Sequence, residues 1–294
     1  MKAVFIGCVE FSYALLERLL ELDGIDIAGV VTRETSDFNA DFRSLEPLAQ
    51  KAGVPSLNVS GNDQETMAAW IKDLSPDVIF CLGWSYLLGR DILDIPPEGV
   101  IGYHPALLPR NRGRHPVVWA LALGLKETGS TFFVIDEGAD SGDIVSQRRV
   151  AIGGEDDARA LYDKLLNTAK GQLDDVIGGL LTGNLERTPQ DPSKATTWRK
   201  RGKRDGEIDW RMTAQGICNL VRALSRPYVG AHCLCNGAEP KIWKAAPAAA
   251  ADADIEPGRV LAIEGTAITV KCGDGAVTLV EHEFQDLPAV GDSL

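Results

Sequence analysis

Two residues in the middle of this chain have the chemistry for proton transfer. His104 ends the apolar run GVIGYH, and 36 residues later Asp140 sits in the Gly-rich stretch DEGADSGD, with an arginine-bearing loop, PRNRGR, between them. An imidazole set by a carboxylate is an acid–base pair working near neutral pH. Pro105 disfavours helix at His104, so the ring is held in extended backbone. A lone histidine there reads most simply as a strand end satisfied by backbone. The stiff PALLPRNRG loop, with two prolines, fixes its position and favours a functional reading. Asp136, Glu137 and Asp140 fall within five residues, which usually means a solvated loop. Gly138 and Gly142 permit a tight path instead, with backbone groups turned toward a ligand. A carboxylate reaching His104 would favour the imidazolium; spacing alone does not say which acidic residue does so.

These residues need a frame. Strand-like runs at 2–8, 25–31, 54–57, 77–83 and 99–104 alternate with helical patterns at 11–20, 42–52 and 63–74. That alternation predicts an α/β fold, a doubly wound, mostly parallel sheet. Runs at 128–135 and 143–152 predict two further strands, and 157–181 an amphipathic helix. Such sheets bind ligands at the carboxyl ends of their strands, where DVIFCLGWSYLL and GVIGYH terminate. The first strand is followed by Gly7 without GxGxxG spacing, and no GxxxxGK[ST] occurs, so neither a dinucleotide nor ATP is indicated. The reading is a catalytic domain over 1–185, a polar, basic linker over 186–206, and a domain over 207–294 whose five strand-length runs suggest a small OB-like β-barrel. AAPAAAADAD (245–254) reads as a flexible loop in that domain.

With 294 residues, 45% apolar and 24% charged, the chain is globular, and a net charge of −12 argues against a broad nucleic-acid surface. No apolar run is long enough for a membrane span and no cleavable leader is evident, which predicts a cytoplasmic protein. Six cysteines lack CxxC spacing. The His232-Cys233-Leu234-Cys235 cluster has no second pair, so no metal is expected.

The pair HPALLPRNRG and DEGADSGD resembles the signature of the 10-formyltetrahydrofolate-dependent formyltransferases, where HxSLLPxxRG is followed by DxGxDxGD. The resemblance covers residues 1 to about 245. It implies transfer of a formyl group from 10-formyltetrahydrofolate to an amine, with His104 in proton transfer and Asp140 tuning it. It further implies a folate pocket lined by Tyr86, Leu87, Leu88, Arg114 and the loop Asp136, Glu137, Gly138, Ala139 and Asp140. The family places an oxyanion-stabilising asparagine two residues before the histidine; here that position is Gly102. Losing one such donor typically costs about a hundred- to a thousandfold in rate. Ser85, Asn111, a water or protonated His104 could take over, or the chain could be a hydrolase or a non-catalytic folate binder.

On the acceptor, RKRGKRDGEIDW and VRALSRPYVGAH look more like the enzymes that formylate nucleotide-linked amino sugars for surface polysaccharide than like methionyl-tRNA formyltransferase. A tRNA acceptor calls for basic surface beside the site, yet the loop after the second strand is mildly acidic. Only RKRGKR (199–204) is strongly basic, either solvated surface or a clamp on a nucleotide diphosphate. A symmetric dimer is the default expectation.

Overall fold

The computed structural model describes residues 1–36, 39–249 and 252–294, and the chain divides into two compact units. The first comprises Met1–Gly113, Thr128–Val150 and Asp163–Trp198; the second comprises Arg114–Glu127, Ala151–Tyr162 and Arg199–Leu294.

The first unit is built on β1 (Lys2–Ile6), β2 (Asp26–Thr32), β3 (Ser56–Asn58), β4 (Val78–Cys81), β5 (Val100–His104), a two-residue β6 (Arg112–Gly113), β7 (Glu127–Val134), β8 (Ile144–Ala151) and a two-residue β9 (Thr197–Trp198). Seven of these form one sheet in the order β3-β2-β1-β4-β5-β7-β8. The first five run parallel, and β7 turns antiparallel against β5, with Gly102 opposite Phe133 and His104 opposite Thr131. The order reverses beside β1, so the ends of β2, β1 and β4 open a crevice there.

Parallel strands covered on both faces need continuous apolar runs, and KAVFI and VIFC supply them; all but Lys2 are buried. Helix α1 (Glu10–Leu20) buries Phe11, Leu15, Leu16 and Leu19, one face at helical spacing. After α2 (Glu46–Ala52), α3 (Gln64–Leu74) starts where the Asp63 carboxylate accepts the Thr66 N–H at 3.1 Å, and packs Met67, Ala68 and Ile71 against Val4, Ile6 and Ile79. Short helices α4 (Arg90–Leu93) and α5 (Pro116–Ala122) lack a long apolar period and escape the sequence reading. The expected long helix is α6 (Ala158–Thr182).

In the second unit α7 (Ala214–Ala223) is capped by Thr213 and precedes β10 (Ala231–His232), β11 (Lys241–Ala248), β12 (Val260–Glu264), β13 (Ala267–Lys271) and β14 (Ala276–His282). They form an antiparallel sheet, β10-β11-β14-β13-β12. Five strands are present as expected, but among the described residues no pairing between the end strands closes a barrel. The flexible loop expected over 245–254 is corrected in part. Ala245–Ala248 continue β11 and pair with Leu279–Ala276 of β14, because cross-strand pairing overrides low-complexity composition. Ala250 and Ala251 lie outside the described residues.

Candidate functional site

His104 ends β5 with its ring 5% exposed, and two groups hold it. Nε2 lies 2.7 Å from the Asn111 carbonyl oxygen. A carbonyl can only accept, so Nε2 carries the proton and donates. Nδ1 faces Asp140 Oδ2 at 3.6 Å, an ion pair whenever the ring holds a second proton.

The loop that supplies Asn111 is pinned from the strands beside it. Thr128 Oγ1 donates to the Pro105 carbonyl at 3.0 Å, Thr131 Oγ1 to Ala106 at 2.7 Å, and Gln147 Nε2 to Leu108 at 3.0 Å. Thr196 takes the Asn111 N–H on its hydroxyl at 2.9 Å. Asn111 itself sits at φ 64°, a left-handed conformation that short polar residues tolerate better than most.

Asp140 is fixed as firmly. It adopts φ 54°, and its Oδ2 accepts the Gly113 N–H at 2.8 Å. Gln190 Nε2 donates to the carbonyls of Asp140 and Gly142 at 2.9 and 2.7 Å, while its Oε1 accepts from Arg112. A Cβ at Gly142 would land on the Val134 carbonyl, so only glycine lets the loop turn back this tightly. Asp136 Oδ1 accepts from Gly138 N–H and Ser141 Oγ, closing the loop from inside. Glu137 forms an exposed two-pronged ion pair with Arg90 at 2.7–2.8 Å.

Gly102 shares a face of β5 with His104 and meets hydrocarbon. A Cβ there would lie 2.7 Å from Ile135 Cγ1 and 3.1 Å from Phe133 Cζ. The space an asparagine would need is filled by Ile135. Tyr103 points to the other face, stacked on Phe11 at 4.4 Å with its hydroxyl accepting from Ser130 at 3.0 Å; burial drives that phenol well above its ordinary pKa. Ser85 Oγ donates to Asn39 Oδ1 at 3.0 Å.

In the segment following β4, Leu88 is buried while Tyr86 and Leu87 are 36% and 57% exposed. Ala139 lies in the acidic loop. Arg114 belongs to the second unit, where it neighbours His115. Burial, then the charges of Arg114, Arg201 and Lys200, push the His115 ring below its ordinary pKa, against a weaker opposing effect of Asp205.

The 199–206 stretch is ordered. Arg201 and Arg199 lie 4.5 and 5.3 Å over the Trp119 ring, Trp119 Nε1 donates to the Arg199 carbonyl at 3.0 Å, and Arg199 grips Asp205 with two bonds. Chiefly through that Arg199 bond, the Asp205 carboxyl is held far below the usual range. Among the described residues no group of three or more His, Cys, Asp or Glu could hold a metal ion.

Gln190, Gln147, Thr131 and Thr196 are the positioning residues that sequence reading missed. Each polar residue lies in a stretch with no motif, and Gln190 and Thr196 fall inside the expected linker. No signal in one sequence singles them out.

A doubly wound sheet that carries a fixed histidine and carboxylate at the carboxyl end of β5 is an α/β architecture suited to proton transfer. Residues 1–177 match the formyl transferase family and residues 200–290 its C-terminal domain. The chain belongs to the formyl transferase family, and it is an enzyme of that class. It is 36% identical to a methionyl-tRNA formyltransferase of Caldanaerobacter subterraneus over 99% of this chain and 94% of that protein. It is 32% identical to one of Geobacter metallireducens over 97% and 91%. Among solved structures, an N-formyltransferase from Helicobacter canadensis, in complex with folinic acid and dTDP-3-aminofucose, shares the fold with a TM-score of 0.72 at 17% identity, covering 96% of this chain and 99% of that one.

Proposed function

We propose that this enzyme moves a formyl group from 10-formyltetrahydrofolate to the amine of a nucleotide-linked amino sugar in the cytoplasm. The observation that carries the transfer chemistry is the fixed His104–Asp140 pair at the end of β5. Bound folate would supply an electrophilic formyl carbon. The segment 86–88 suits it, since Tyr86 and Leu87 present apolar surface that a flat heteroaromatic ring would cover, and the 136–140 loop is held in shape by its own Asp136.

His104 moves the proton that the attacking amine must lose. To do so, the ring carries its own proton on Nδ1, toward the Asp140 carboxylate, and Nε2, released from the Asn111 carbonyl, accepts the proton of the amine. The Ile135 side chain at Gly102 leaves no place for an amide donor on that side. Protonated His104 is then the group that faces negative charge developing on the formyl oxygen.

The acceptor reading rests on charge. Residues 207–294 carry seven Lys or Arg against twelve Asp or Glu, a poor surface for a tRNA backbone. Arg114, Lys200 and Arg201 of the second unit instead gather around His115. A compact cluster of this kind suits one diphosphate. Methionyl-tRNA is the second reading, favoured by the two relatives above.

The test incubates the protein with 10-formyltetrahydrofolate and, separately, a panel of dTDP- and UDP-linked amino sugars or methionyl-tRNA, following the mass gain of one formyl group. Product with a sugar and none with tRNA is the expected result; product only with tRNA reverses the assignment. Formate release without any amine would identify a hydrolase.

A further inference from the structure

Arg33 follows β2 at the switch-point crevice and is only 9% exposed, yet among the described residues no ion pair reaches it. Its Nε is buried without a partner, and so is Nε1 of Trp84, in the segment after β4. The two side chains meet. Arg33 Cζ lies 5.9 Å from the Trp84 ring centroid and 5.4 Å from that of Tyr86, whose rings are tilted 57° to each other.

Aromatic faces soften the burial of a guanidinium but leave its Nε–H unmet. A buried charge without a counter-ion is costly, and proteins retain one where a ligand supplies the opposite charge. Among the described residues the thiol beside it offers no substitute. The nearby Cys8 thiol is pushed up to about 11, chiefly by burial, so it remains neutral, and its contacts run to Asn39 and the Gly83 carbonyl.

We propose that Arg33 and Trp84 form an oxyanion subsite, in which a carboxylate or phosphate of a substrate accepts from Arg33 and from Trp84 Nε1. Tyr86, part-exposed, forms its mouth. The subsite stands on Arg33's own surroundings. Which substrate fills it rests on the formyl-transfer reading: the glutamyl carboxylate of the donor or a phosphate of the acceptor.

Two probes separate these sources, p-aminobenzoyl-glutamate and inorganic pyrophosphate, titrated calorimetrically into the full chain and into Arg33→Met and Trp84→Phe. At least one probe binds the native chain, loses about a hundredfold in affinity in Arg33→Met, and weakens about five- to tenfold in Trp84→Phe. Arg33→Met melts no lower than the native chain, since it removes an uncompensated charge. Response to the glutamate probe assigns the subsite to the donor, and response to pyrophosphate assigns it to the acceptor. Affinities unchanged by both substitutions, or no binding of either probe at millimolar concentration, overturn the proposal. Trp84→Phe alone decides the matter if Arg33→Met does not fold. Because binding is read without turnover, failure of formyl transfer leaves this result standing, and the reverse also holds.

Discussion

His104 and His115 lie eleven residues apart and meet opposite electrostatic surroundings. The first has a hydrogen-bond acceptor at Nε2, the Asn111 carbonyl at 2.7 Å, and a carboxylate facing Nδ1 at 3.6 Å. The second, at φ 56° before α5, faces Arg114, Arg201 and Lys200 and is held neutral by burial and by them. The same side chain is therefore set for proton transfer in one unit and set beside cations in the other. What separates them is the residue that returns from far along the chain: Asp140 for His104, the 199–205 stretch for His115.

The sharpest way to break this contrast is to remove the acceptor from the first histidine. Asp140→Ala deletes both the carboxylate facing Nδ1 and the acceptor of the Gly113 N–H. We expect turnover to fall by about 10²- to 10⁴-fold, with His104→Asn at least as severe. Single-turnover formyl transfer measures it. Activity at the native rate in both variants would leave the first histidine no more chemical than the second.

Next in size is a test of the gap beside it. Gly102→Asn alone pushes a side chain into Ile135 and Phe133 and should cost about 1–3 kcal/mol of stability, visible as a lowered melting temperature. Combining it with Ile135→Ala opens the space, and the double variant should melt higher than Gly102→Asn. If an amide donor is what the site lacks, the double variant gains on the order of tenfold or more in rate. A stable double variant with no gain shows that His104 already does that work.

Much of this was legible in sequence, and the limits have physical causes. Apolar runs of the parallel strands and the prolines flanking His104 fix β5 and its loop locally. The Gly-rich acidic loop is legible because Gly142 must pass against a carbonyl, a demand only glycine meets. Gln190 and Thr196 look like linker in sequence because hydrogen bonds across 48–85 residues leave no period and no motif. The plug at Gly102 is likewise invisible: a missing side chain shows in sequence, but the Ile135 that fills its volume shows only when β7 lies beside β5. Ala245–Ala248 mislead in the opposite sense, as low complexity recruited into a strand.

The cationic side of the comparison can be probed at Arg201. Arg201→Met retains a side chain that can lie on Trp119 but removes the charge and the bond to the Asp205 carbonyl. If the cluster holds a diphosphate, the KM for a nucleotide-linked acceptor rises about tenfold, with the KM for the formyl donor unchanged. Equal changes in both would mean that the substitution disturbs the fold and that the cluster holds no acceptor.

The smallest effect concerns His115 itself and is read from pH. Its pKa is lowered in the folded chain, by burial first and by Arg114, Arg201 and Lys200 after it, with Asp205 opposing. The unfolded chain takes up this proton as pH falls through about 6.5, while the folded chain does not until a lower pH. Between those points the unfolded state binds more protons, so stability is full at pH 7 and declines as pH falls. His115→Gln removes that decline. The difference in melting temperature between the native chain and His115→Gln should therefore move in the variant's favour from pH 7 to pH 5, by a few degrees at most. A bound pyrophosphate would offset the surrounding cations and shrink that movement. A difference that is constant across this range would show that the cations do not act on the ring, and the contrast between the two histidines would lose its electrostatic half.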